Sequence, residues 1–268
     1  MCATCGCGRA EETHQHADGT VHAHGHDHAH GHDHEHDHHH EHDHGHQHDR
    51  GGETIRLERE VLARNDRLAE RNRGFFAARH VLALNLVSSP GAGKTTLLER
   101  TIRDAGRELG IEVIEGDQET SADADRIHAA GAHAVQINTG TGCHLDAAMV
   151  AGAFHRLELR QRSTLLIENV GNLVCPALFD LGERAKVVVA SVTEGEDKPL
   201  KYPHMFRASA ALVLNKIDLL PHLHFDVDRF LANARQVNPR QTVFRVSATR
   251  GDGLAEWYAW LKEQRAAA

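Results

Sequence analysis

Short apolar runs alternate with segments of helical periodicity from His80 to the C-terminus. Seven such runs, rich in β-branched residues, lie at 81–87, 111–116, 134–138, 164–169, 185–192, 210–215 and 242–248. Nearly continuous apolar runs of this length are typical of strands buried on both faces of a parallel sheet. The segment after the first run has apolar residues at helical spacing, at Leu98, Ile102, Ala105 and Leu109. The pattern predicts an α/β domain with a mostly parallel, doubly wound sheet of about seven strands.

Residues 53–79 have helical periodicity without a strand pattern. Their apolar residues Leu57, Val61, Leu68 and Phe75 are spaced 4, 7 and 7 apart, as on one face of a helix. We expect this helix to pack on the main domain, and a separate coiled coil is the alternative. Gly51–Gly52 marks the end of the preceding segment. The predicted organisation is a cysteine motif at 1–10, a histidine-rich tail at 11–52 and a main domain at 53–268.

The first fifty residues differ from the rest in composition and charge. Of the 25 histidines in the chain, 17 lie between His14 and His48, interleaved with Asp, Glu, Gly and Ala. Residues 1–50 carry ten acids and two arginines, so they account for the net charge of −8 of the whole chain. With almost no large apolar side chain to bury, we predict disorder in the absence of metal. An expression tag is an unbroken histidine run, so the alternation from His22 to His48 favours a weak store for several divalent ions.

Several classes of protein are disfavoured by composition. The remaining residues are formally neutral, which argues against nucleic acid or an anionic membrane as a partner. No apolar run approaches the roughly 18–20 residues that cross a bilayer, and "MCATCGCGRA" is unlike a signal peptide. We therefore expect a cytoplasmic protein. The five cysteines stand in two groups, which suits reduced metal thiolates better than disulfides: Cys2, Cys5 and Cys7, then Cys143 and Cys175.

The first predicted strand runs directly into "SSPGAGKTT", residues 88–96, and then into a helix. The pattern GxxxxGK[ST] is met except at its first position, where Ser88 replaces glycine and a strained backbone angle is a concern. Glycines let backbone N–H groups converge on phosphate oxygens, and the helix N-terminus adds its dipole. Lys94 should reach the β- and γ-phosphates, and the Thr95 hydroxyl should bind Mg²⁺. The predicted phosphate contacts are Ser89, Gly91, Ala92, Gly93, Lys94, Thr95 and Thr96.

The sixth predicted strand is followed by "NKID", which bears on the choice of base. The Asp218 carboxylate can accept hydrogen bonds from N1–H and N2–H₂ of guanine, whereas adenine would leave it desolvated and unpaired. "SAT", residues 247–249, stands at the end of the last predicted strand, as "NKID" does at the end of the sixth. The chain is therefore predicted to bind GTP and GDP and to hydrolyse GTP, with base contacts from Asn215, Lys216, Asp218, Ser247 and Ala248.

Two acids stand at strand ends beside the predicted phosphates. Asp117 ends the second strand and Glu168 ends the fourth. Asp117 could bind Mg²⁺ or orient the attacking water, and Glu168 could do the same through a second water. No water-positioning glutamine is evident, so we expect slow intrinsic GTP hydrolysis.

A second group of candidate ligands follows two other strands. Cys143 and His144 come after the third strand, and Cys175 stands seven residues after Glu168. Thiolates and imidazole suit Zn²⁺ or Ni²⁺, although three unrelated side chains would give the same spacing. If the segments converge, the short link between Glu168 and Cys175 could make metal affinity depend on the nucleotide.

These motifs together resemble the hydrogenase nickel-incorporation GTPases, the HypB family. The resemblance rests on the leading "MCATCGCG", the His-rich tail, "SSPGAGKTT", "EGDQET", "TGTGCHLD", "ENVGNLVCP", "TEGEDKPLKYP" and "NKIDLLPHL". It implies a P-loop NTPase of the SIMIBI type that delivers Ni²⁺ during maturation of [NiFe]-hydrogenase and uses GTP hydrolysis to time the transfer. It also implies a HypA-type nickel chaperone and the hydrogenase large subunit as partners.

The resemblance further assigns residues to sites. It implies a nucleotide-gated metal site, for Ni²⁺ or Zn²⁺, at Cys143, His144 and Cys175, and a tight nickel site at Cys2, Cys5 and Cys7. It implies a homodimer that forms on GTP or metal binding, with contacts from Lys201, Leu219 and Leu223. Two alternatives remain: a urease-type nickel GTPase of the UreG family, and a nickel or zinc store with a regulatory GTPase domain.

Overall fold

The computed structural model describes residues 14–15, 21–22, 50–117 and 122–268. In the smaller of two compact units, Met1–Arg59, His14–Gln15 pairs antiparallel with Val21–His22. The predicted sites at Cys2, Cys5 and Cys7, most of the His22–His48 store and the expected disorder of the tail lie outside the described residues.

A seven-stranded, fully parallel sheet forms the centre of the larger unit, Glu60–Ala268. Its strands are β1 (Leu82–Ser88), β2 (Ile111–Asp117), β3 (His133–Asn138), β4 (Thr164–Glu168), β5 (Ala185–Ser191), β6 (Ser209–Asn215) and β7 (Thr242–Arg245). The spatial order is β3-β2-β4-β1-β5-β6-β7. Every residue of β1 and β4 is buried, as their continuous apolar sequences predicted. The predicted number and kind of strands are confirmed.

Helices cover both faces of the sheet. They are α1 (Arg50–Ala78), α2 (Lys94–Leu109), α3 (Ala122–Ala130), α4 (Ala147–Leu157), α5 (Cys175–Leu178), α6 (Lys198–Lys201), α7 (Pro203–Ala208), α8 (Val227–Val237) and α9 (Leu254–Ala266), with a 3₁₀ turn at Ile217–His222. On one face α2, α3 and α9 enclose a core that includes Leu97 and Trp257. On the other, Phe154 of α4 and Phe230 of α8 lie in two further clusters. Each such side chain contributes about 1.5–3 kcal/mol by burial. No helix in the described part of the chain is long and apolar enough to cross a membrane.

The part of helix α1 that belongs to the larger unit, residues 60–78, packs on the sheet. The predicted face is correct only in part: Phe75 packs on Phe154, with 4.6 Å between the ring centroids. Leu57 is 62% exposed and Val61 is 50% exposed, and the helix begins at Arg50, so Gly51–Gly52 lies inside it. The buried positions are Asn65, Ala69, Asn72 and Phe76. Asn65 and Asn72 can be buried because backbone groups satisfy the hydrogen-bonding capacity of their amides. Asn72 Nδ2 donates to the carbonyls of Ala147 (2.8 Å) and Leu181 (3.0 Å), and Asn65 bonds Ala147 N–H and Asp180 O.

Candidate functional site

The loop between β1 and α2 has the backbone that a phosphate-binding loop needs. Gly91 and Gly93 have φ of 75° and 92°, in the left-handed region that side chains disfavour. A Cβ on Gly93 would lie 2.5 Å from the Asn215 amide nitrogen, so this close approach also requires glycine. Ser88 is not in a left-handed conformation, and its hydroxyl donates to Ser89 O at 2.7 Å. The strain expected from serine at this position is therefore absent.

A cavity of about 610 Å³ opens above this loop at the carboxyl edge of the sheet. Parallel α/β sheets bind ligands at this edge, where the strand order reverses. Its lining includes every predicted phosphate contact from Ser89 to Thr96, together with Asp117, Glu168 and Lys216. It also includes Glu115, Asp123, Arg126, Cys143, Asn169 and Asn172. The sequence predicted a metal-binding role for Cys143 and no role for the other five residues.

Lys94 and Thr95 converge on one buried carboxylate. Lys94 Nζ lies 3.2 Å from Glu168 Oε1, and the Thr95 hydroxyl donates to the same oxygen at 2.7 Å. Thr95 Oγ1 also lies 3.2 Å from Asp123 Oδ2. Burial raises the pKa of Glu168, an effect that Lys94 opposes. Glu168 Oε2 is buried and has no hydrogen-bond partner among the described residues. This set of hard oxygen donors fits Mg²⁺.

Glu115 is a second buried carboxylate beside Glu168. The two residues are in register on neighbouring strands β2 and β4. Glu115 is 2% exposed, and its Oε2 has no partner in the described part of the chain. Burial, followed by the charges of Glu168, Asp117 and Asp123, raises the pKa of Glu115 to about 8. Sequence reasoning missed Glu115 because it lies within a strand, where a lone acid usually faces solvent.

Replacing Glu115 with glutamine should stabilise the nucleotide-free protein at alkaline pH. The unfolded side chain titrates near 4.5 and the folded one near 8, so between these values the folded state retains a proton that the unfolded state has lost. Stability therefore falls as pH rises through this window. Glu115→Gln removes the cost of ionising this buried carboxyl. We therefore expect it to raise the free energy of unfolding by about 2–4 kcal/mol at pH 8 and by little at pH 5. Urea unfolding at both pH values measures it.

Glu112 provides the matched control on the same strand. It is also buried, but its Oε1 accepts a hydrogen bond from Arg160 Nε at 2.7 Å. Glu112→Gln should lower stability at pH 8, because it weakens a charge-assisted contact. A destabilising effect of Glu115→Gln at pH 8 would contradict this account of the carboxylate pair.

The predicted base-binding residues adjoin the phosphate loop. Asn215 Nδ2 donates to Ala92 O (3.1 Å), and Asn215 Oδ1 accepts from Ala248 N (3.1 Å). Lys216 is left-handed, with φ of 61°, and its ammonium donates to Gly91 O at 2.6 Å. The Ser247 hydroxyl accepts from Arg250 N at 3.1 Å. The asparagine thus connects both base-side segments to the phosphate loop.

Asp218 has the unsatisfied oxygen that a base-reading carboxylate needs. Its Oδ1 is buried and finds no hydrogen-bond partner among the described residues. A buried carboxylate oxygen without a donor is costly, so a ligand bearing N–H groups would be bound in preference to one without them.

The three predicted metal ligands in the main domain come together. Their donor atoms all lie within 4.8 Å of one another, and this is the one such cluster found among the described residues. Cys143 Sγ lies 3.1 Å from Cys175 Sγ and 3.6 Å from His144 Nδ1. Burial lowers the pKa of His144, an effect that Asp146 opposes, and so favours the neutral imidazole that binds metals. The His144 ring packs on Phe179, 4.0 Å between centroids.

The residues predicted to contact a second copy lie elsewhere on the surface. Lys201 is exposed and pairs with Asp197 at 2.8 Å. Leu223 is exposed, whereas Leu219 is half-buried against the core cluster that contains Phe230.

The fold and this edge define a P-loop nucleotide-binding protein with a cysteine–histidine cluster beside its phosphate cavity. The family model described as "CobW/HypB/UreG, nucleotide-binding domain" matches residues 82–245. Hydrogenase maturation factor HypB of Escherichia coli strain K12 is 59% identical over 213 residues, covering 80% of this chain and 73% of the relative. The chain belongs to the HypB family of hydrogenase maturation factors, as its motifs predicted.

Two solved structures of this family have the same fold. That of HypB from Archaeoglobus fulgidus is 40% identical with a TM-score of 0.71, covering 76% of this chain and 99% of its own. HypB from Helicobacter pylori in complex with nickel is 38% identical with a TM-score of 0.72, covering 75% and 95%.

Proposed function

We propose that this protein is a GTP-hydrolysing nickel metallochaperone that delivers Ni²⁺ during maturation of [NiFe]-hydrogenase. The observation that carries the proposal is the shared position of two sites. Cys143 belongs to the cysteine–histidine cluster and also lines the cavity above the phosphate loop. A metal at the cluster and a phosphate in the cavity would therefore be neighbours. The nickel complex of the Helicobacter pylori relative supports nickel as the cargo.

GTP is the proposed nucleotide because of Asp218. Its buried, unpartnered Oδ1 would accept from the N–H groups of guanine, while Asn215 holds the base-side segments against the phosphate loop. Adenine offers no matching pair of donors.

GTP hydrolysis is proposed to depend on charge at the phosphate loop. Lys94 would leave Glu168 and neutralise charge on the β- and γ-phosphates, with the loop N–H groups orienting them. Thr95, Glu168 and Asp123 would hold Mg²⁺, with Asp117 beside them in the cavity. When bound, Mg²⁺ neutralises charge on the phosphate oxygens. No glutamine is among the described residues that line the cavity, which is consistent with slow intrinsic turnover.

The cargo site is proposed to be the cluster of Cys143, His144 and Cys175. Two thiolates and a neutral imidazole bind Ni²⁺ and Zn²⁺, so supply and geometry would select between them. Because thiolate ligands need a reducing compartment, the proposal places the protein in the cytoplasm. Residues 1–10 would form a tight nickel site and 11–52 a weak store, attached to a GTPase domain at 53–268.

Delivery would involve other proteins and a second copy of this chain. We propose a homodimer that forms on GTP or metal binding, with exposed Leu223, half-buried Leu219 and exposed Lys201 at the contact. A HypA-type nickel chaperone and the hydrogenase large subunit are the proposed partners.

Hydrogenase maturation in a strain lacking its own factor tests the proposal. We expect Lys94→Ala to abolish maturation, because nucleotide hydrolysis times the transfer. We expect deletion of residues 14–48 to leave maturation intact when nickel is abundant, because the tail only stores metal. Hydrogenase activity against added nickel is the measurement. The opposite result, with the deletion inactive at high nickel and Lys94→Ala active, would make storage the main task.

A further inference from the structure

The segment that follows β4, residues 169–172, contacts the phosphate loop. A Cβ added to Gly171 would lie 3.1 Å from Pro90 Cγ and 3.2 Å from the Pro90 backbone. Glycine therefore lets this segment rest directly on the loop that would cradle the phosphates. Asn169 N donates to Leu86 O at 3.0 Å, which fixes the start of the segment to β1. A displacement of the loop at Pro90 would thus move residues 171 and 172.

The same segment contacts the chain beside both metal-site cysteines through one side chain. Asn172 Nδ2 donates to the carbonyl of Cys143 at 3.2 Å. Asn172 Oδ1 accepts from Val174 N, immediately before Cys175, at 2.8 Å. A single amide therefore joins the backbone next to Cys143 with the backbone next to Cys175. The two thiols lie 3.1 Å apart across this link.

Asn169 makes a second connection of the same kind. Its Oδ1 accepts from Leu145 N at 3.1 Å, one residue after His144, and its Nδ2 donates to Asn85 Oδ1 at 3.2 Å. Asn169 is buried and satisfied on both sides, so it forms the rigid end of the segment. Both side chains line the phosphate cavity, but Asn172 is only part-buried, so it is the one with room to move when the cavity is occupied.

We infer that Asn172 is a positioning residue that couples the nucleotide state to the spacing of Cys143 and Cys175. A γ-phosphate in the cavity would shift Gly171 against Pro90, and Asn172 would transmit the shift by strengthening or releasing its bond to the Cys143 carbonyl. The two thiolates would then be nearer or farther apart, which changes metal affinity. This inference rests on the proposed function, because it requires that nucleotide and metal bind at these neighbouring sites. By reciprocity, metal must change nucleotide affinity by the same factor.

A purely structural role for Asn172 would predict something different. An asparagine that only caps the turn before Cys175 would, when replaced, weaken metal binding equally in every nucleotide state. A coupling role changes the ratio of affinities between states. The test must therefore measure the ratio and not the affinity alone.

The experiment uses the full chain with Cys2, Cys5 and Cys7 replaced by serine. Cys143 and Cys175 are then the remaining thiols, because the chain has five cysteines. Thiolate-to-nickel charge-transfer absorption reports this site alone, and a chelator buffers free Ni²⁺ against the histidine tail. Nickel affinity is measured with GDP and with a non-hydrolysable GTP analogue. Asn172→Asp keeps the acceptor for Val174 N but replaces the donor to Cys143. Asn172→Ser also keeps an acceptor and is too short to reach Cys143.

We expect the parent protein to show nickel affinities that differ at least about fivefold between the two nucleotide states. In both Asn172 variants the charge-transfer bands should persist while the ratio falls below about twofold. A parental ratio retained in both variants would overturn the role of Asn172 and leave the proposed function standing. Equal affinities in the parent protein would overturn nucleotide gating itself, and this inference with it.

Asn238 supplies the matched control. Like Asn172, it accepts through Oδ1 from the N–H two residues further on, here Arg240 N at 3.2 Å, and it donates through Nδ2 to backbone carbonyls of a distant segment, those of Phe206, Arg207 and Ser209. Ser209 begins β6, at the amino edge of the sheet and away from the cavity. Asn238→Asp should keep the parental ratio. If it also loses the ratio, the effect of Asn172→Asp reflects general loosening of the fold, and the inference fails.

Discussion

Asp218→Asn is expected to switch the proposed base specificity of the protein from guanine to xanthine. The amide cannot accept from both N1–H and N2–H₂ of guanine, and its N–H₂ faces the guanine amino group instead. Xanthine carries a carbonyl at that position, which the amide can satisfy. Because buried polar groups left unpaired discriminate strongly, we expect GDP affinity to fall about 10²-fold or more and XDP affinity to rise. Calorimetric titration of both nucleotides is the measurement.

The gain of XDP binding is the internal control for this substitution. A protein that only lost structure would bind neither nucleotide. If Asp218→Asn retained its GDP affinity, the unpartnered Oδ1 of Asp218 would not be a base contact, and the proposal of GTP as the nucleotide would lose its main support.

Lys94→Ala is expected to lower the rate of GTP hydrolysis by about 10²–10³-fold, the usual effect of removing one preorganised charge from a reacting centre. Lys94 is almost buried at the start of α2, where its ammonium faces the cavity and Glu168. Phosphate release in a single turnover at saturating GTP separates this loss from weaker binding.

Lys186 controls for the loss of a buried ion pair. Its side chain is as buried as that of Lys94, and it pairs with buried Glu183 at 2.8 Å, outside the phosphate cavity. Lys186→Ala should destabilise the fold, because it removes one partner of a buried pair, and should leave hydrolysis by the folded protein unchanged. Equal losses of hydrolysis in the two variants would show that Lys94 acts through folding.

The sheet could be predicted from sequence because parallel strands buried on both faces need continuous apolar residues. The spacing of apolar residues identified the buried face of α1 only in part, through Phe75. Asn65 and Asn72 are buried because carbonyls of distant segments meet them, and those partners are defined only in three dimensions. Leu57 and Val61, which had the expected spacing, remain exposed.

The candidate site was predictable where a motif fixes local geometry. The phosphate loop and "NKID" depend on short-range backbone conformation. Lys94 and Thr95 line the cavity, and Asp218 has a buried oxygen without a partner among the described residues. The cluster of Cys143, His144 and Cys175 needed the resemblance, because spacing alone left convergence open. Glu115, Asp123 and Asn172 were missed, since each matters through a neighbour brought close by the sheet: Glu168, Thr95 and Cys143 respectively.

The 32-residue separation of the clustered thiols has a consequence for the lifetime of the protein in the cell. Cys143 follows β3 and Cys175 follows β4, and β2 lies between these strands, so folding is what brings the three ligands together in this arrangement. An ion held by all three would bind the folded state more tightly than the unfolded chain. With free metal at 100 times its dissociation constant, the folded state gains up to about 2.7 kcal/mol, and the unfolded fraction falls by up to about a hundredfold. Proteases that act on unfolded chains would then remove metal-free copies first, so degradation would match the amount of this protein to the metal supply.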